Sequence, residues 1–281
     1  MVPYIINSRG EQERFSPQKV YRSARRVGAS AKLAQKITQE ISGHIYTGIK
    51  TSEIFKQVKK MLHRETPVAA LRFSLKEAMK ALGPTGFPFE KYICNIFQSW
   101  GYFVKANQIM SGGCCSGYEI DFTAQKDNLL KIGECKYHNA RQGLVQIEVA
   151  LANYARFLDI RTSFDSLKKS GSPEIKSILV TNTRFSSRAI QYSECMGVEL
   201  LGWNYPKNKG LEHLIDAQNL YPITILPSFK ADWGNLFSCY DMMLVKDVLR
   251  EDQNKLAKKL KISKEELKPL LAEARSLIPQ V

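Results

Sequence analysis

A break at residues 83–86, with the sequence Gly-Pro-Thr-Gly, divides the chain into two stretches that differ in their pattern of apolar residues. Glycine and proline at this density end a helix and are typical of a linker. Before the break, apolar residues recur at helical spacing; after it, runs typical of strands alternate with helical ones. We therefore predict a multidomain α/β protein with domains at 1–85, 86–220 and 221–281.

The first stretch predicts a small β-hairpin followed by a helix bundle. Strands are expected at 4–6 and 13–15. Ser16 supplies a capping hydroxyl and is followed by proline, a combination that commonly begins a helix. Three more helices follow, and the apolar stripe of the last predicts one continuous helix from Pro67 to Leu82.

The second stretch predicts the order α-β-β-β-α-β-α-β, which implies a central mixed sheet flanked by helices. Its strands are expected at about 102–105, 118–124, 130–137, 178–180 and 198–201, and its later helices at about 142–158 and 186–196. The tail contains a capping box at Ser263–Glu266 and predicts a small helical domain. A helix-hairpin-helix-like module that grips DNA and a generic packing domain are both consistent with it.

The positive charge is concentrated at the front of the chain. The net charge is +14, and residues 1–85 contribute +10 of it, from 16 basic and 6 acidic residues. Residues 86–220 and 221–281 carry only +2 each. A focused basic surface attracts nucleotide phosphates or a DNA backbone, whereas a merely solubilising surface is the alternative.

The six cysteines include no Cys-x-x-Cys pair, and the histidines include no His-x(3–5)-His pair. This pattern argues against a zinc site and against a disulfide scaffold. No apolar run approaches the ~18 residues of a membrane-spanning helix, and no signal peptide is visible. We expect a cytoplasmic protein without a membrane partner.

Two predicted strands carry the most informative side chains. Asp121 lies in the first strand, and Glu134 and Lys136 share one face of the next because side chains alternate along a strand. If the strands pair as a hairpin, Asp121 lies beside Glu134. Two neighbouring carboxylates suit Mg²⁺, and an adjacent lysine could orient a metal-bound water or offset transition-state charge.

At these residues the sequence resembles the PD-(D/E)xK nuclease superfamily, in particular the Mrr-like restriction endonucleases and, more distantly, archaeal Holliday-junction resolvases. The resemblance covers about 87–205. Its motifs are Gly86-Phe87-Pro88-Phe89-Glu90, Gly101-Tyr102, the Glu-Ile-Asp and Glu-Cys-Lys strands, Leu179-Val180-Thr181-Asn182, Phe185-Ser186 and Ala189.

The resemblance implies a role for each matched site residue. Asp121 and Glu134 would be metal ligands, with the backbone carbonyl of Cys135 as a further ligand. Lys136 would be the catalytic lysine, and Glu90 would be the helix glutamate that assists at the metal.

The same stretch allows two other assignments. Glu119 could compete as a ligand or be a solvated charge at the strand edge, and the solvated charge is favoured. A nucleophilic cysteine at Cys114, Cys115 or Cys135 is poorly supported. The chain has only four histidines, and His138 fits a phosphate path better than a Cys/His pair.

Residues 4–80 resemble an ATP-cone, the nucleotide-binding regulatory module of ribonucleotide reductases and some repressors. The matching residues are Tyr46-Thr47-Gly48-Ile49-Lys50-Thr51-Ser52-Glu53-Ile54, Arg9-Gly10, Glu13, Phe15, Lys19 and Val20. The resemblance implies a hairpin lid over a helix bundle, with Glu13, Lys19 and Thr51 as nucleotide contacts. Asn7-Ser8-Arg9-Gly10 stands where the family has Lys-Arg-Asp-Gly, so Arg9 would compensate for lost cations. A nucleotide sensor, a DNA-binding module and a packing domain are the three alternatives.

Together these features predict a Mg²⁺-dependent DNA endonuclease, with Mn²⁺ as a substitute, that hydrolyses phosphodiesters with a metal-activated water. ATP or dATP would act as an allosteric ligand on the front domain, and a homodimer would allow both strands to be cut. The alternative is a non-catalytic, nucleotide-responsive DNA-binding protein that retains a nuclease scaffold.

Overall fold

The computed structural model describes residues 3–7, 10–82, 87–139, 143–167 and 170–278. The predicted linker at 83–86 and the lid residues Ser8 and Arg9 lie outside the described residues.

The front of the chain forms a three-stranded sheet on a helix bundle. Its elements are β1 (Tyr4–Ile6), β2 (Gln12–Arg14), α1 (Pro17–Arg26), α2 (Ala31–His44), β3 (Ile49–Lys50), α3 (Thr51–Glu65), α4 (Pro67–Phe73) and α5 (Leu75–Lys80). The strand order is β2-β1-β3, with β1 antiparallel to β2 and parallel to β3. The hairpin is confirmed, and Ser16 caps α1 by accepting a hydrogen bond from the Lys19 N–H at 3.4 Å.

The prediction of one helix from Pro67 to Leu82 was wrong, because the helix divides at Ser74. The Ser74 hydroxyl donates to the carbonyl of Ala70 at 2.9 Å. A serine that bonds back to the preceding turn competes with the helix ladder and bends it. The apolar stripe continues across this bend, since Leu71, Leu75 and Leu82 are all buried.

The second region is a five-stranded mixed sheet with helices. Its elements are α6 (Phe87–Ser99), β4 (Phe103–Met110), β5 (Tyr118–Lys126), β6 (Leu129–Lys136), β7 (Leu144–Val145), α7 (Ile147–Ser166), β8 (Glu174–Thr181), β9 (Arg184–Phe185), α8 (Ser187–Met196) and β10 (Glu199–Leu201). The strand order is β10-β8-β6-β5-β4; β4, β5 and β6 are antiparallel neighbours, and β6, β8 and β10 are parallel. The predicted order is confirmed, with β7 and β9 as an additional two-stranded pair.

Helices cover both faces of this sheet. On one face, Phe97 of α6 packs against Phe122 of β5, with 5.1 Å between their ring centroids. On the other, Phe157 of α7 joins Ile120 and Ile132 in a separate buried cluster. The inner strands β5, β6 and β8 are therefore largely buried, whereas alternate residues of the edge strand β4 are exposed.

The remainder of the chain is a helical tail. It contains α9 (Leu211–Ala217), short 3-10 turns at 223–225 and 231–233, α10 (Gly234–Cys239), α11 (Val245–Leu249), α12 (Gln253–Leu260) and α13 (Lys264–Leu277). The predicted cap is confirmed: the Glu266 N–H donates to the Ser263 hydroxyl at 3.2 Å, and that hydroxyl donates to the Glu266 carboxylate at 3.0 Å.

One buried core joins all three parts of the chain. It includes Leu71 from α4, Leu82 just after α5, Phe89 from α6, and Leu256 and Leu270 from the tail. The front bundle also has a separate buried cluster of its own. Residues from both sides of the predicted domain boundaries at 85/86 and 220/221 pack in the common core. The division into domains stays a prediction. None of the described helices combines the length and apolar composition that crossing a membrane requires.

Candidate active site

Strands β5 and β6 bring the two predicted metal ligands together. Their antiparallel register pairs Phe122 with Gly133, and the same register continued by one residue puts Asp121 opposite Glu134. A Cβ at Gly133 would overlap the Phe122 ring. Glycine at this position therefore lets the Phe122 ring lie across β6.

At Asp121, the side chains of β5 change from packing on the α7 face of the sheet to packing on the α6 face. Residues two apart on a strand normally share a face, yet Ile120 packs with the α7 cluster and Phe122 with the α6 cluster. The Asp121 carboxylate bridges to the neighbouring strand, because its Oδ2 accepts a hydrogen bond from the Cys135 N–H at 2.6 Å. This bond ties the aspartate to the strand that carries Glu134 and Lys136.

Glu134 is a buried carboxylate held by two cations. Only 6% of the residue is exposed. Its Oε1 lies 2.5 Å from the Lys136 Nζ, and its Oε2 lies 2.6 Å from Arg156 Nη1. A buried charge is tolerated only when it is paired and hydrogen-bonded. Both oxygens of this side chain are therefore engaged.

The third carboxyl group comes from the first turn of α6. Burial, followed by the negative charges of Asp121 and Glu134, raises the pKa of Glu90 to about 7, and the Lys136 charge opposes this rise. Burial also raises the pKa of Asp121, against the Cys135 N–H bond. The structure thus brings Glu90, Asp121, Glu134 and Lys136 into one electrostatic cluster whose acids repel one another.

The donor set fits a hard divalent cation. No three His, Cys, Asp or Glu side chains converge as a metal site in the part of the chain that the structure describes. The protein ligands would instead be the carboxylates of Asp121 and Glu134 and a backbone carbonyl, with waters completing the shell, which is how Mg²⁺ commonly binds. The mutual repulsion of the acids is the observation that favours a cation here.

Cys135 can offer only its backbone to this cluster. Its side chain is buried in the core, and burial raises the pKa of the thiol well above its usual value. Hydrogen bonding to Asp159 likewise raises the pKa of Cys114. Because the thiolate is the reactive form of cysteine, these shifts agree with setting aside a nucleophilic cysteine. The Glu119 side chain is exposed, as expected for a solvated charge.

Two supports of the cluster were not predicted. Thr181 at the end of β8 donates to the Lys136 carbonyl at 2.7 Å. Asn182 clamps His138 from both sides, accepting its N–H at 2.9 Å and donating to its carbonyl at 3.0 Å. Burial and the nearby Lys136 lower the pKa of His138. The sequence motif at 179–182 includes both residues, but the role of Asn182 as a backbone clamp follows only from the β6–β8 pairing.

The loop that precedes β5 is fixed by a residue of α7. Asp159 accepts the backbone N–H groups of Cys114 at 2.7 Å and Cys115 at 3.0 Å, and the Tyr118 hydroxyl at 2.9 Å. These bonds lower the pKa of Asp159. A Cβ at Gly112 would collide with the same carboxylate, which explains the glycine there.

The front region brings three predicted nucleotide contacts to one cavity. Glu13, Lys19 and Thr51 line a cavity of about 170 Å³ whose remaining wall is mainly apolar. The Lys19 Nζ lies 3.8 Å from the Glu13 carboxylate, and Thr51 is the first residue of α3. The fourth predicted contact, Arg9, lies outside the described residues.

A larger cavity lies between the front helices and the segment from Trp203 to α9, and it contains none of the predicted site residues. It measures about 370 Å³, and its walls include Arg26, Arg72, Trp203, Glu212 and Asp216. Arg26 pairs with Glu212 at 3.3 Å, and Arg72 lies 3.7 Å from Asp216. These ion pairs link the two regions across the cavity.

The sheet and its helices define a mixed α/β protein with a helical C-terminal region. Residues 221–278 match the family model described as AF1548-like, C-terminal. An uncharacterized protein of Archaeoglobus fulgidus is 32% identical over 186 residues, which are 66% of this chain and 99% of that protein.

The chain therefore belongs to the AF1548-like family. It is also similar to the crystal structure of AF1548, described as a protein of unknown function. That likeness has a TM-score of 0.57 and 29% identity, over 68% of this chain and 96% of that one.

Proposed function

We propose that this protein is a Mg²⁺-dependent DNA endonuclease of the PD-(D/E)xK, Mrr-like type, with Mn²⁺ as a substitute metal. The observation that carries the proposal is the pairing of β5 with β6, which puts Asp121 opposite Glu134, with the Lys136 Nζ 2.5 Å from the Glu134 carboxylate. The charges of Asp121 and Glu134 help to raise the pKa of Glu90, and burial raises the pKa of Asp121. Buried acids with raised pKa values cluster at functional sites more often than elsewhere.

Each side chain has a role that its geometry supports. Asp121 and Glu134 would hold the cation, and the Cys135 N–H keeps Asp121 oriented. Lys136 is partly exposed, so its ammonium could face an incoming phosphate and offset the charge that develops there. Glu90, with a pKa of about 7, can hold or release a proton near neutral pH. When bound, Mg²⁺ would supply Lewis-acid activation of water and neutralise the phosphate.

Plasmid nicking tests this proposal with matched control variants in the same sheet. Asp121→Asn is compared with Glu119→Gln, which removes an exposed acid from β5. Lys136→Met is compared with Lys176→Met, because the two lysine side chains are 41% and 43% exposed. We expect Mg²⁺-dependent nicking by wild type and both controls, and a loss of roughly 10²–10⁴-fold in the two site variants.

A non-catalytic, nucleotide-responsive DNA-binding protein is the rival function. It predicts DNA binding by wild type but no cleavage of supercoiled, branched, modified or single-stranded DNA with either metal. Cleavage that survives both site substitutions would instead show that the assigned cluster is not the active site.

The front region is proposed to be an ATP-cone-like regulatory domain that binds ATP or dATP. Its support is the cavity that Glu13, Lys19 and Thr51 share, with Thr51 beginning a helix whose N-terminus favours phosphate. We expect millimolar ATP or dATP to raise the melting temperature of wild type. The shift should be smaller in Lys19→Gln and unchanged in Lys32→Gln on α2. Equal shifts in all three proteins, or none in wild type, would contradict this assignment.

The remaining expectations also belong to the proposal. The tail would grip DNA as a helix-hairpin-helix-like module, although the buried leucines of α13 equally support a packing role. A homodimer would supply two active sites, and a cytoplasmic location would supply DNA and nucleotide. Size-exclusion chromatography with light scattering at several protein concentrations tests the dimer.

A further inference from the structure

Arg156 is the charged residue of the cluster to which sequence reasoning assigned no role. It lies on α7, and its guanidinium Nη1 is 2.6 Å from Glu134 Oε2 and 3.2 Å from the Glu119 carbonyl oxygen. The second bond anchors the guanidinium to β5 just before Asp121. Arg156 therefore connects the helix to both strands that carry the carboxylates.

The position of this guanidinium conflicts with a metal on the same carboxylate. Glu134 is almost fully buried and already has Lys136 on its other oxygen. A divalent cation bound at Glu134 would lie within a few ångströms of the Arg156 charge, and like charges at that distance repel strongly. The Arg156 side chain remains 27% exposed, so solvent reaches it and it can leave Glu134 without crossing the core.

We propose that Arg156 is a stand-in cation: it pairs with Glu134 in the metal-free protein and competes with the divalent metal for that carboxylate. This inference rests on the proposed function. Arg156 is a positioning residue that acts through Glu134. It keeps a buried acid compensated when no metal is bound, and it sets the metal concentration at which the site fills.

The test is titration of the full chain with MnCl₂ and MgCl₂ by calorimetry, together with melting curves in EDTA and in Mn²⁺. Arg156→Gln removes the competing charge, so we expect its Mn²⁺ affinity to exceed that of wild type by about tenfold, the lower end of measured coupling between close charges. Its melting temperature in EDTA should fall and should be restored by Mn²⁺. Arg156→Lys, which keeps the cation, should bind Mn²⁺ as wild type does.

Arg161→Gln is the matched control. Arg161 is an exposed arginine of the same helix, and its guanidinium lies over the Phe157 ring at 5.9 Å. It should leave Mn²⁺ affinity unchanged, since the competition concerns Glu134 and not the net charge of α7.

The outcomes separate this inference from the proposed function. No metal binding by wild type would overturn the metal site itself. Metal binding by wild type that Asp121→Ala abolishes, with unchanged or weaker binding by Arg156→Gln, would overturn only the competition. Should Arg156→Gln fold in Mn²⁺ but not in EDTA, the stand-in role is supported. Failure to fold in both would make Arg156 a structural residue and refute the proposal.

Discussion

Replacing Glu90 with glutamine should stabilise the metal-free protein at alkaline pH and have little effect at acid pH. The folded-state pKa of Glu90 is raised from 4.5 to about 7. The folded state therefore holds this proton more tightly than the unfolded chain does. Stability falls as pH rises from about 4.5 through 7, and the full penalty is present above pH 7. Glutamine cannot ionise and escapes that penalty.

The size of the effect follows from the shift and from the exposure of the side chain. A rise of this size corresponds to roughly 3 kcal/mol, and because Glu90 is only half-buried, solvent screening reduces it to about 1–2 kcal/mol. For a chain of this length the expected gain in melting temperature at pH 8 is about 2–4 °C.

Differential scanning calorimetry in EDTA from pH 5 to pH 9 measures this difference. Glu119→Gln, on an exposed acid of β5, is the control and should show no pH-dependent gain. Millimolar Mg²⁺ at pH 8 should reduce the difference in melting temperature between Glu90→Gln and wild type, because a bound cation compensates the negative charges of the wild-type acids. A gain that is the same at pH 5 and pH 8 would refute the electrostatic account of the cluster.

Two further substitutions test the supports of the cluster. Gly133→Ala places a methyl group against the Phe122 ring; it should destabilise the protein by about 1–3 kcal/mol in urea unfolding, and a neutral result would show that β6 can move aside. Asp159→Ala removes the acceptor for the loop at 112–118, so amide hydrogen exchange should quicken there while β8 stays protected, and unchanged exchange would contradict the assigned bonds.

Local signals in the sequence were sufficient for much of the fold. Ser16 and Ser263 cap helices as predicted because capping depends on residues within one turn. The sequence predicts that Asp121 lies beside Glu134 if their strands form a hairpin. The antiparallel register of β5 and β6 agrees with that prediction. The division at Ser74 escaped prediction, since the buried stripe continues through the bend.

The supports of the candidate site could not be predicted because they come from distant elements. Arg156 and Asp159 project from α7 onto β5, β6 and the loop before β5. Nothing in their spacing from Asp121 or Glu134 signals contact. The contact between the Arg156 guanidinium and Glu134 can be recognised only when the packing of α7 on the sheet is known.

The common core described above has a consequence for how this molecule can be taken apart. Leu71, Phe89 and Leu270 belong to one continuous apolar cluster. Removing either the N-terminal or the C-terminal region of the chain would therefore expose hydrophobic surface on the part that remains. Expression of the sheet region alone should yield insoluble material. Heating the intact chain should melt the sheet and the tail as a single event, whereas most of the front bundle packs in a buried cluster of its own.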